Sequence, residues 1–112
     1  MRRLAVVDPS RPREWDDILE NTRALLAAAM SGDWGRAMQL ERERHARIDH
    51  FFATAPALHE AAWVRRGIEE ILVSDARLSE LCQREKARAG AEVIDLRHKA
   101  AASRAYAKAT AA

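Results

Sequence analysis

Residues Ser31-Gly32-Asp33 constrain the fold of this chain more than any other three. They separate two stretches of helical apolar period and leave room only for a tight reversal. Before them, Trp15, Ile18, Leu19, Thr22, Leu25, Leu26, Ala29 and Met30 recur at steps of three and four, one face of a helix. Asp16, Asp17, Glu20, Asn21 and Arg23 take the opposite face. Ser10 reads as the N-cap, with Pro12 tolerated in the first turn, so helix one is predicted over about residues 11–31. Gly32 can adopt the left-handed conformation that ends a helix, and Asp33 can cap the next one. So short a link makes the two helices antiparallel neighbours, an αα-hairpin.

The second helix presents Trp34, Ala37, Met38, Glu41, His45, Ile48 and Phe52 along one stripe, with Leu40, Arg44 and Phe51 beside it. Pro56 closes this segment, because the residue before a proline is pushed out of helical geometry. From Ala57 to about His98 there is no proline and little turn chemistry, so a long third helix is expected. Its apolar positions are Leu58, Ala61, Val64, Ile68, Ile71, Leu72, Leu78, Leu81, Cys82, Val93, Ile94 and Leu96. Gly67 and Gly90 each weaken a helix interior by about 1 kcal/mol relative to alanine. Ser74-Asp75 can cap a new helix, so a break there is the alternative. Between Cys82 and Val93 only alanines are apolar, and that portion has little to bury. The alanine-rich end around Tyr106 reads as a short C-terminal helix, marginal without tertiary contacts.

The fold class is therefore all-α, a small antiparallel helical bundle: a hairpin, a long third helix and a short C-terminal one. Its parts are a flexible arm over 1–10, a helical domain over 11–99 and a tail over 100–112. Composition bounds what such a bundle can bury. The chain has 112 residues, and 24 of its 54 hydrophobic residues are alanine. A chain this short buries roughly 60–70% of its unfolded surface, so a thin core makes it depend on a partner. The charges nearly balance, 19 Lys+Arg against 17 Asp+Glu, which excludes a supercharged nucleic-acid arm. The apolar run Leu4–Val7 is too short for a signal peptide, and no stretch is long enough to cross a membrane. A single cysteine permits no internal disulfide, which fits a reducing compartment, and the expected location is cytoplasmic.

Chemistry is sparse. No phosphate-binding loop, dinucleotide fingerprint, nucleophile elbow or paired-carboxylate motif occurs. Glu41, His45 and Asp49, four apart on helix two, are the best metal candidates. Arg42 stands where a di-iron bundle would need another glutamate, and Arg44 would repel a cation, so the trio reads as a solvated face and no cofactor is expected. Cys82 reads as a small buried hydrophobe rather than a nucleophile. Glu41 and Arg44 form either an exposed pair or a polar seam that sets helix register. Trp15, Trp34 and Trp63 read as core rather than ligand site. Trp63, off the Val64–Ile68–Ile71 stripe, reads as more exposed. The basic excess falls at the two ends, on Arg2, Arg3, Arg11 and Arg13, and on Arg97, Lys99, Arg104 and Lys108. Without aromatic or helix-turn-helix context these do not make a nucleic-acid surface, and they hint at an acidic partner.

The run Leu25-Leu26-Ala27-Ala28-Ala29-Met30-Ser31-Gly32-Asp33-Trp34, followed by Leu40-Glu41 and Arg44, resembles the first hairpin of the flagellar export chaperones of the FliT family. Ile71-Leu72-Val73-Ser74-Asp75-Ala76-Arg77-Leu78, Leu81 and the late Ala105-Tyr106 are similar in type to later parts of that family, so the resemblance spans roughly residues 15–108. Gly35 departs from it, standing where family members usually carry an acidic residue. The resemblance implies an all-α cytoplasmic chaperone, not an enzyme. It implies that the chain holds the C-terminal segment of the filament-cap protein FliD before export and delivers it to the flagellar export gate and ATPase complex. Some members also restrain a flagellar transcription regulator. In the family the last helix can cover the client groove, a role that falls here on the segment around Tyr106.

The residues themselves point the same way, since a thin core leaves an apolar groove for an amphipathic helix. The groove is expected between helices two and three, lined by Met38, Ile48, Phe52, Ile68, Leu72 and Leu78. The competing readings are a non-catalytic adaptor that dimerises through the long third helix, and a metal-bound bundle.

Overall fold

A computed structural model describes residues 8–111. Helix α1 spans Ser10–Met30, α2 spans Trp34–Phe52, a single 3₁₀ turn covers Leu58–Glu60, and α3 spans Ala61–Thr110. No strand occurs among the described residues. Most of the expected 1–10 arm lies outside them.

The reversal forms as its residues dictate. Gly32 has φ of 78°, and the amides of Gly32 and Asp33 donate to the carbonyls of Ala29 at 3.1 Å and Ala28 at 2.9 Å. This crossed pair satisfies carbonyls that the end of α1 would otherwise leave open. One carboxylate oxygen of Asp33 then accepts the Arg36 amide at 3.1 Å and caps α2. The start of α1 differs from expectation. Ser10 is the first helical residue, and Asp8 accepts both its amide at 2.9 Å and its hydroxyl at 2.7 Å. These two bonds hold the Asp8 carboxyl below its usual range.

The third helix is the long one expected, and it corrects one expectation, the separate C-terminal helix. It is unbroken at Ser74-Asp75, because Asp75 is occupied across the interface with α2 instead of capping locally. Residues 100–110 are not a separate short helix but the last turns of α3, since alanine-rich sequence gives the backbone no reason to stop.

The chain divides into two compact units, one through Ser79 and one from Glu80. In the first, α1, α2 and the opening turns of α3 share one core. Trp15, Ile18, Phe51 and Val64 form its centre, and Leu19, Ile48, Trp63 and Ile71 pack against it. Each large side chain buried there contributes roughly 1.5–3 kcal/mol. Trp63 is half-buried, its ring edge-on to Phe51 at 6.2 Å, and more exposed than Trp15, as its place off the stripe predicts. On α1, Asn21 is buried and Met30 is exposed, the reverse of the sequence reading.

The second unit is a single stretch of helix whose side chains from Lys86 to Ala111 are all exposed. Its support is internal. Arg88 bridges Glu85 at 2.7 Å and Glu92 at 3.0 Å, and Lys99 meets Asp95 at 3.0 Å. Pairs at i, i+3 and i, i+4 are what sustain a helix with no core beneath it. Cys82 is exposed here, a further correction. Leu81, one position round the helix, carries the partly buried face.

Candidate functional site

The candidate face lies where α2 meets the opening turns of α3. Helix α2 buries Ala37, Leu40, Arg44 and Phe51. Leu40, Arg44 and Phe51 are the row expected beside the stripe, and only Ala37 belongs to the stripe itself, so the helix is turned by about one position from expectation. The consequence is direct: Met38 and Phe52, read as lining residues, stand 61% and 40% exposed. Ile48 is half-buried against the core.

Arg44 fixes how α2 and α3 meet. Buried itself, it donates from Nη1 to Asp75 of α3 at 2.7 Å and from Nη2 to Glu41 at 2.7 Å. The Glu41–Arg44 pair is therefore part of an interhelical seam. Its Nε has no hydrogen-bond partner, so the seam is incompletely satisfied. Glu41, engaged by Arg44, does not converge with His45 and Asp49, which pair with each other at 3.4 Å. Among the described residues no group of three or more His, Cys, Asp or Glu is placed to hold a metal ion.

On α3, Ile68 lies two turns before Asp75 and so shares its side of the helix, with Leu72 one turn from Ile68. Ile68 is 39% and Leu72 63% exposed, while Leu78 is half-buried further along. The Arg44–Asp75 contact thus sets an exposed apolar pair on α3 on the flank that faces α2. Phe52 meets Trp15 and Phe51 edge-on, at 5.8 and 5.1 Å, which ties the end of α2 to the core. Tyr106, in the other unit, is exposed.

Two features escaped the sequence reading. The first is Arg11, which read as loose basic excess. It is buried, with its guanidinium 3.7 Å over the Phe51 ring. From there it donates to the Phe51 carbonyl at 2.7 Å and to both carboxylate oxygens of Glu60, at 3.2 and 3.3 Å. Glu60 also accepts the Ala57 amide at 2.9 Å. Hydrogen bonding from Arg11, and then from that amide, holds the Glu60 carboxyl below its usual range. The second is a cleft of about 390 Å³ between α1 and α3, bordered by Pro12, Trp15, Leu19, Trp63 and Gly67. Gly67 makes it possible, since a Cβ there would fall 2.5 Å from Cε2 and Cζ2 of the Trp15 ring. Apolar side chains left exposed off the expected stripe include Val73 on α3 and Leu58 in the turn before it.

No helix among the described residues is long and apolar enough to cross a membrane. No curated protein and no solved structure matches the chain. The family model described as "Flagellar protein FliT" does, over residues 13–108. That span takes in the glycine reversal, the Arg44 seam and nearly all of α3, and the chain belongs to the FliT family of flagellar proteins.

Proposed function

We propose that this protein is a non-catalytic flagellar export chaperone. It holds the C-terminal amphipathic segment of the filament-cap protein FliD and delivers it to the export gate and ATPase complex in the cytoplasm. The observation that carries this reading is the exposed apolar pair Ile68–Leu72 on the α2-facing flank of α3, in a chain of the FliT family. Two apolar side chains one turn apart are the anchor spacing an amphipathic client helix uses. Met38, Ile48, Phe52 and Leu78 complete the proposed lining.

Calorimetry with a peptide of the FliD C-terminal segment tests this. Ile68→Glu combined with Leu72→Glu is expected to weaken binding at least about tenfold, the scale of losing two apolar anchors. Leu58→Glu, at a position 93% exposed and off this face, is expected to leave affinity unchanged. Equal affinity of wild type and the double variant would overturn the proposed face.

A further inference from the structure

After Asp95 the chain contains no Asp or Glu, yet it carries Arg97, Lys99, Arg104 and Lys108. This run is helical to Thr110 and exposed throughout to Ala111. Upstream, Arg88 is neutralised within the helix by Glu85 and Glu92, which together push its pKa further up, and Lys99 has Asp95. Arg97, Arg104 and Lys108 have no ion pair among the described residues. At i, i+7 and i+11 they fall within about 40° of one another on the helix surface, forming a single basic row. Beside that row runs a second one at alternating steps of three and four, Leu96, Ala100, Ser103 and Ala107. Tyr106 is on the far side from Arg97.

We propose that this basic, small-faced stretch of α3 is a docking surface for an acidic helix of another protein. Small side chains at a heptad-like spacing let a partner backbone approach closely, and Arg97, Arg104 and Lys108 then meet its carboxylates along one edge. The charge pattern selects this occupant over others. A second copy of the same stretch offers no carboxylate after Asp95 to meet the basic row. A membrane surface calls for Trp, Phe or Leu on the inserting face, which here is mostly alanine and serine. The inference does not depend on how FliD is held, because it uses none of the residues assigned to that face.

The test uses the full chain and a synthetic helical peptide of about 20 residues, with alanine along its seam and glutamate on its flanks. Fluorescence anisotropy is expected to show salt-sensitive binding, abolished when the peptide's glutamates are replaced by glutamine. Arg97→Gln with Arg104→Gln and Lys108→Gln is expected to weaken binding at least about tenfold. Ala100→Leu with Ala107→Leu keeps every charge and is expected to weaken it comparably by holding the backbones apart. Helicity by circular dichroism confirms that each variant is folded. Undiminished binding by the leucine variant would reduce the surface to non-specific attraction and overturn the proposal. So would equal or tighter binding to phosphatidylglycerol vesicles or to a random DNA duplex, a dimer in sedimentation that the triple variant dissociates, or no binding of the acidic peptide.

Discussion

At the scale of single residues, two positions carry more than their type announces. In sequence, Gly67 is a weak spot in a helix. In the structure it is the point where α3 closes on the Trp15 indole, which occupies the space of its missing Cβ. Gly67→Ala is therefore expected to destabilise the protein by roughly 1–3 kcal/mol in chemical denaturation, the usual cost of overpacking. Gly90 has nothing within 4 Å of such a Cβ. Gly90→Ala is expected to do the opposite and raise helix content, by up to about 1 kcal/mol of propensity. Periodicity has no means of telling these glycines apart, since the difference lies in a side chain 52 positions away on α1. Arg11 was equally hidden, because its partners Phe51 and Glu60 come from segments that only the fold brings together. The Glu60 carboxyl has its pKa lowered on folding, so it adds stability above the ordinary carboxylate range. That contribution disappears as pH falls through the lowered value. Glu60→Gln should remove this part of the acid limb of a stability-against-pH curve and lower the melting temperature near neutrality. An acid limb identical to wild type would show that the Arg11 contact is energetically idle.

At the scale of elements, the hairpin was legible because its signals are local. The glycine turn, the aspartate cap and the spacing of α1 each act within a few residues. Helix α2 was misread by one position for a related reason. Both neighbouring rows carry charge in mid-helix, Glu41 and His45 in one and Arg44 in the other, so periodicity alone does not rank them. The physical reason Arg44 can stand there is Asp75, which is contributed by α3. The same contact removes the helix break that Ser74-Asp75 permitted. Met38 and Phe52 were thereby placed more exposed than lining residues of a closed groove. Asp75→Ala leaves Arg44 with Glu41 alone, and because Asp75 is partly exposed the expected cost is modest, about 1–2 kcal/mol. Arg44→Met, which removes the buried charge and its unpartnered Nε together, is expected to be near neutral or mildly stabilising. Denaturation midpoints for the pair of variants separate these outcomes.

At the scale of the whole molecule, the unequal share of large side chains becomes an unequal resistance to opening. Amides around Ile18 and Phe51 sit under fully buried side chains, whereas those from Lys86 to Thr110 belong to a stretch of helix whose side chains are exposed. Hydrogen exchange is expected to show slow, cooperative opening for the first set and fast exchange for the second. Uniform protection would contradict that division. The Arg11 contact also has a consequence in time. It joins positions 49 residues apart, and the later of them, Glu60, follows α2 and its closing turn. As the chain is synthesised from its N-terminus, both helices of the hairpin are made before that carboxylate exists. Arg11 can meet the Phe51 carbonyl first and must wait for Glu60, so the last event at this corner is the seating of a charge rather than the burial of an apolar surface. A chain ending just short of Glu60 leaves Arg11 only backbone carbonyls to bond, and the corner becomes electrically complete only with the first turn that leads into α3.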